Sequence, residues 1–309
     1  MAIDPQLVAF QALNGLQLGI MLFLMAAGLT LVFGIMNLIN LAHGSLYMVG
    51  AYLAAAFQDW TGSFVLGGLL AIPATVALGV AVELVVLRTL YERDHLDQVL
   101  ATFGLILFFN EAVRIVWGPS AVFMAAPAFL SGQIDLPLGI VYPSYRFAII
   151  LVGLAVAAFL YGLIAHTRIG MLIRAGATNR AMVGALGVDV KLLYTTVFAL
   201  GTALAGIAGL MAGPILSVEP GMGEPILILA FVVIVIGGIG SIRGAFLAAL
   251  LIGMVDTLGR SFLPGVLRAV FNPQVANAVG PALASMLIYV LMALVLAFRP
   301  QGLFPARAA

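Results

Sequence analysis

Apolar runs of about 20 residues recur along this whole chain, and charged residues collect in the gaps between them. Each run is long enough to cross a hydrocarbon core of ~30 Å as a helix. Hydrocarbon offers no water to exposed backbone N–H and C=O groups, so such runs fold as helices that satisfy their own backbone. Charged residues make up 8% of the chain and hydrophobic residues 64%, whereas roughly a quarter of a soluble domain is charged. A transmembrane barrel would show ~10-residue segments of strict alternation, and none occur. The fold class is therefore all-α, a polytopic membrane protein with about 8–9 embedded helices, some broken or re-entrant.

Spans are expected at 11–33, 41–57, 63–87, 97–117, 146–166, 192–213, 225–239, 243–259 and 279–298, forming one transmembrane domain over 1–309. The N-terminal MAIDPQLVAF lacks the basic region and small-residue cleavage site of a removable signal, so the first span is expected to act as an uncleaved insertion signal. Two connections are long. The segment 118–145 carries Pro119, Pro127, Pro137 and Pro143 and is expected to be an irregular lid; 260–278 is the other. The chain has no cysteine, which removes disulfides and thiolate metal sites. A net charge of +1, with no basic run interleaved with aromatics, gives no signal for nucleic acid.

Orientation follows the distribution of Arg and Lys. Under this segmentation Arg88, Arg93, Arg168, Arg174, Arg180, Lys191, Arg243, Arg299 and Arg307 share one side. Arg114, Arg146, Arg260 and Arg268 lie near the other, with Asp4, Asp59, Asp135, Glu219 and Glu224. The loop 88–96, the segment 167–191 and the C-terminus are then cytoplasmic, 118–145 is extracytoplasmic, and counting crossings places the N-terminus outside.

Two places depart from plain spans. GIMNLINLAHGS, Gly34 to Ser45, interrupts an apolar stretch too long for one crossing and holds Asn37, Asn40 and His43. GGIGS, with Gly237, Gly238, Gly240 and Ser241, interrupts 225–259. Glycine clusters release the backbone from helical geometry. Paired broken helices near opposite ends of a sequence point to a transport path; two ordinary tight turns at the membrane surface are the other reading. Asn37, Asn40, His43 and Ser45 offer uncharged hydrogen-bonding groups, suited either to paving a path for a polar solute or to holding helices together.

The basic segment 167–191 contains RIGMLIRAGATNRAMVGALGV. Thr178 or Asn179 suits an N-cap and Gly187 a C′ position, bounding a short helix Arg180 to Leu186. Met182, Val183 and Leu186 fall on one face at helical spacing. A two-turn helix is marginal alone and becomes ordered by docking that face on a partner or on lipid headgroups.

The block RAGATNRAMVGALGVDV resembles the cytoplasmic coupling segment of branched-chain amino acid ABC importer permeases of the LivH/LivM type. GLTLVFGIMNLINLAHGSLYMVGAY at 28–52, FVVIVIGGIGSIRGAFLAALLIG at 231–253 and FRPQGLF at 298–304 match the same family in order, closer to LivH than to LivM. The resemblance implies ABC importer permease architecture in a bacterial inner membrane, working with a second permease subunit of LivM type, two ATPase subunits of LivG/LivF type and a periplasmic solute-binding protein. It assigns ATPase coupling to Arg174, Asn179, Arg180, Met182, Val183, Leu186 and Gly187. It leaves open whether the cargo is a branched-chain amino acid, urea, an amide or an aromatic acid. A P-loop needs GxxxxGK[ST], and Lys191, the sole lysine, lies in VKL. No cofactor is therefore expected on this chain, ATP and Mg being held by the partners.

The remaining polar residues point to no catalysis. Glu83 lies one turn before Arg88 and is expected to pair locally; Glu111–Arg114 and Asp256–Arg260 have helical pair spacing. His43 reads as a buried structural histidine, and His95 and His166 sit at loop edges, so no metal constellation forms. HExxH and GxSxG are absent. The alternative function is a self-contained ion-coupled transporter or channel, which calls for intramembrane carboxylates that the spans do not convincingly supply.

Overall fold

The computed structural model describes residues 4–304, so Arg307 and the rest of 305–309 lie outside the described residues. Eleven helices appear among them: α1 (Pro5–Met36), α2 (His43–Thr61), α3 (Phe64–Val85), α4 (His95–Trp117), α5 (Ser144–His166), α6 (Arg168–Thr178), α7 (Arg180–Ala185), α8 (Val190–Ala212), α9 (Gly223–Gly237), α10 (Ile242–Leu267) and α11 (Pro273–Phe298). Seven are long and apolar enough to cross a membrane; α2 and the shorter apolar α9 complete the embedded set. The chain is a multi-pass helical membrane protein.

Three connections differ from the sequence expectation. The segment 118–145 is partly ordered: strands β1 (Gln133–Leu136) and β2 (Ile140–Pro143) pair antiparallel, with Ile134 opposite Tyr142. Pro137 opens the turn between them, where a missing N–H costs no ladder bond. The expected loop 260–278 shrinks, because α10 continues through Pro264 to Leu267 and α11 starts at Pro273 behind an Asn272 cap. The basic segment contains α6 as well as the expected short helix.

The contacts of α1 fix which end of the bundle is which. Asn14 accepts from Tyr142 Oη at 3.2 Å and Arg146 Nη1 at 2.9 Å, so its start lies at the hairpin end. Burial pushes the Tyr142 phenol up to about 12, against the opposing effect of Arg146, which keeps it a donor. Near its other end, Ile35 packs against Gly176 of α6, at the end holding the Arg-rich segment. The same helix forms the centre of the core: Leu22, Leu24, Met25, Ala26 and Leu29 are fully buried.

Two stretches of the bundle repeat one pattern in opposite directions. In the first, α1 descends to the basic end, the chain re-enters through 37–42, and α2 returns toward the hairpin end. In the second, α8 ascends to the hairpin end, where Met211 accepts from Tyr145 Oη at 3.0 Å. The chain then re-enters through 213–222, and α9 descends. Gly28 of α1 faces Gly201 of α8, and Gly44 of α2 packs backbone to backbone on Gly223 of α9. The following turns also correspond. Gly62 (φ 68°) precedes Ser63, which caps α3, and Gly240 (φ 79°) precedes Ser241, which caps α10. Inverted repeats of this kind place their broken helices together inside the membrane.

Candidate functional site

The first interruption starts at Asn37, the one described non-glycine residue with positive φ (51°), whose N–H donates to the Phe33 carbonyl at 2.9 Å. Asn tolerates this left-handed conformation better than most residues. Residues 37–42 are not helical, and α4 supplies partners for their backbone. Gln98 Oε1 accepts from the Ile39 N–H at 3.3 Å, and Thr102 Oγ1 donates to the Ile39 carbonyl at 3.4 Å. Gln98 in turn donates to the carbonyls of Leu90 and Arg93, both at 3.2 Å. Gln98 and Thr102 escape sequence reasoning, because their spacing marks them only as polar residues on one face of an apolar helix.

The expected path residues separate into two groups. Asn37 is exposed at the basic end, whereas Asn40, His43 and Ser45 are buried. The His43 ring lies over α1 opposite Gly28, where a Cβ would fall 2.8 Å from Nε2. Gly28 is eight residues from the end of α1, so α2 starts about 12 Å inside the bundle. The Asn40 amide has no hydrogen-bond partner within the protein, and the nearest acceptor to the His43 ring is the Met25 backbone. A fully enclosed polar group without a partner carries a desolvation cost of about 1–3 kcal/mol. His43 is fully buried, in keeping with its reading as a buried structural histidine.

Gly237 to Ser241 form the tight turn between α9 and α10, not the second broken helix. Gly238 (φ 104°) packs against the backbone of Phe304, and Leu303 and Phe304 donate to the carbonyls of Ile236 and Gly237 at 2.8 and 3.0 Å. FRPQGLF thus closes the end of α9. Gly240 also meets Gly34, so both glycine-bearing blocks come together at the basic end. The second true interruption is 213–222. Its signal is the Pro and Gly density of GPILSVEPGMGEP, which the apolar run that follows obscured.

The caps of the basic segment stand where its sequence signals place them. Asn179 Oδ1 accepts from the Met182 N–H at 3.0 Å, and Gly187 (φ 86°) follows the end of α7. Met182 and Leu186 are 57% and 77% exposed, but Val183 is 5% exposed and turns inward. Val183 therefore anchors α7 to the bundle, and the outward apolar pair is Met182 with Leu186. Arg174, Asn179 and Arg180 are exposed beside it.

A buried carboxylate braces this end. Glu83 is fully buried and accepts from Arg88 Nε at 3.3 Å, from Thr195 Oγ1 at 2.9 Å and from the Tyr91 hydroxyl. Arg88 Nη2 also donates to Thr195 at 2.9 Å. The local pair is as expected, while Thr195 ties α3 to the second turn of α8 and Tyr91 holds the chain just after α3 to the same carboxylate. Burial, then the hydrogen bond and charge of Glu83, raise the Tyr91 phenol well above its ordinary value, so it stays a donor. Glu111–Arg114 and Asp256–Arg260 pair at 2.9 and 2.8 Å.

A family model described as "Branched-chain amino acid transport system / permease component" matches residues 11–296. The high-affinity branched-chain amino acid transport system permease protein BraD of Pseudomonas aeruginosa is 32% identical over 307 residues, covering 95% of this chain and 94% of that protein. The corresponding permease protein LivH of Salmonella typhimurium is 30% identical over 272 residues, covering 82% and 86%. The ribose import permease protein RbsC of Escherichia coli is 27% identical over 244 residues, covering 75% and 72%. No solved structure matches.

Proposed function

On the premise that this chain belongs to the branched-chain amino acid transport system permease family, we propose that it is one transmembrane subunit of an ATP-driven importer for branched-chain amino acids. In this reading 1–309 is a single permease domain in a bacterial inner membrane. The basic end and the C-terminus face the cytoplasm, and the hairpin end faces the periplasm. A second permease chain of LivM type, two ATPase subunits of LivG/LivF type and a periplasmic binding protein complete the machine. ATP and Mg belong to the ATPase subunits, and no chemistry occurs on this chain.

One observation carries the reading: a capped two-turn helix projects Met182 and Leu186 outward while Val183 fastens it to the bundle. An exposed apolar pair beside Arg174 and Arg180 suits a protein groove on a motor subunit. Movement of the motor displaces α7 and, through α6 and α8, shifts the bundle between inward- and outward-facing states. Asn40, His43 and Ser45, at the start of the re-entering α2, supply the polar part of the path. Specificity rests largely with the binding protein.

Reconstitution tests this. Leucine uptake by the assembled transporter in liposomes requires ATP, and Arg180→Ala with Leu186→Ala lowers uptake at least tenfold while ATP hydrolysis persists. Uptake by this chain alone, driven by an ion gradient, would refute the importer reading.

A further inference from the structure

The second interruption gathers hydrogen-bond acceptors at the hairpin end. Glu224, in the first turn of α9, accepts from Asn110 Nδ2 of α4 at 2.6 Å. The other amide atom, Asn110 Oδ1, is buried and has no partner. Tyr52 of α2 is 0% exposed, and its hydroxyl also has no partner. Its ring rests on Trp117 with centroids 5.1 Å apart, and the exposed Glu219 lies two residues before Gly221 on the re-entrant chain. The re-entrant chain joins these groups, since the Gly221 N–H contacts Met48 Sδ at 3.3 Å, one turn before Tyr52. The nearest cation on α4, Arg114, is exposed and engaged by Glu111 at 2.9 Å.

The cluster therefore runs from an exposed carboxylate, past a buried phenolic oxygen, to a half-buried carboxylate and a free amide oxygen. Each offers lone pairs, and no described basic side chain neutralises them. Asn110 and the N-terminus of α9 stabilise the Glu224 carboxylate without cancelling its charge, which leaves it ready to meet a positive group. A primary ammonium, with three N–H donors and one positive charge, fits such a set. Resting on the importer reading, we propose that Glu224, Asn110, Tyr52 and Glu219 form an entry site that takes the protonated amine of the amino acid arriving at the periplasmic face.

The absence of cysteine makes a direct test available. Asn110→Cys in the assembled transporter, in right-side-out vesicles, is treated with a cationic ethylammonium and an anionic ethylsulfonate methanethiosulfonate. A cleft lined by one sign of charge raises counter-ion encounter by about tenfold or more. The cationic reagent is expected to react about tenfold faster, relative to the ratio measured on a free thiol. Adding Glu224→Gln or, in a separate protein, the milder Glu219→Gln is expected to reduce that preference. L-leucine is expected to slow the cationic reagent, whereas 4-methylpentanoate, its skeleton without the amine, is not.

No charge preference at the introduced thiol, or a preference that survives both neutral substitutions, would overturn the site. Equal slowing by leucine, 4-methylpentanoate and sodium chloride would overturn the amine assignment. ATP-dependent leucine uptake in wild-type vesicles reports the importer reading separately, so uptake without charge preference removes this site alone.

Discussion

Two helices of almost equal apolarity have opposite fates. In their most apolar windows, α1 is 83% buried within the chain and α11 only 11%. Both begin with proline behind a capping side chain, and both are long enough to span. The difference lies in their small residues. α1 carries Gly15, Gly19, Gly28 and Gly34, and each meets the backbone of another element: Gly253, Ala249, Gly201 and Gly240. α11 carries only Gly280, against Pro264. Lipid tails are as apolar as leucine, so apolar character gives helices no reason to prefer each other over the bilayer. Close approach of backbones provides that reason.

The largest effect is expected at Gly28, which is hemmed in by both the α8 backbone and the His43 ring. A Cβ on Gly28 would lie 2.8 Å from the Gly201 carbonyl oxygen, and backbone there has little room to yield. Gly28→Val should therefore destabilise the protein by on the order of 3 kcal/mol or more, read as loss of the monodisperse detergent-solubilised transporter. Wild-type yield and melting temperature would show that glycine packing does not distinguish α1. An intermediate effect tests α3, whose window is 28% buried. Its Gly79 packs on Thr202, but its basic end depends on Glu83. Arg88→Leu leaves that carboxylate buried without its counter-charge. The expected cost is about 2–3 kcal/mol, near the low end for broken buried pairs, because Thr195 and Tyr91 remain and Arg88 is partly exposed. Glu83→Gln added to Arg88→Leu should recover part of this in thermal melts. If the double variant is as unstable as the sum of the two singles, the brace is not a coupled unit.

The same contrast explains what was legible in the sequence. Lipid-crossing length is local, so the spans were expected within a few residues of most helices, although α1 runs on from Pro5 to Met36 and α10 to Leu267. Capping is local too, and Asn179 and Gly187 stand where their chemistry places them. Depth is not local. GGIGS reads as a break while GPILSVEPGMGEP falls between two expected spans, and nothing in either states which turns at the surface and which re-enters. That is decided by Gly44 meeting Gly223 across 179 positions. The inward turn of Val183 was hidden for a similar reason, since helical spacing defines a face but not its neighbour. In the candidate entry site, Glu219 and Glu224 read as outer-side charge, while their company with Tyr52 and Asn110 exists only after folding.

The smallest expected effect is the sharpest test of the contrast, because it uses one substitution in both helices. Leu24 of α1 is fully buried, and Leu294 of α11 is 51% exposed. In water, removing a leucine side chain loses a transfer term and opens a cavity. In a bilayer the transfer term largely cancels, since the unfolded helix is also solvated by hydrocarbon. What remains for Leu24→Ala is the cavity and its lost dispersion contacts, about 2 kcal/mol. Leu294→Ala opens no cavity, because lipid fills the space, and should change stability by less than about 0.5 kcal/mol. Thermal melts of the isolated chain in detergent measure both. A loss at Leu294 comparable to that at Leu24 would mean that α11 is held by packing its burial does not reveal. A loss seen only in the assembled transporter would instead place Leu294 against another subunit of the complex.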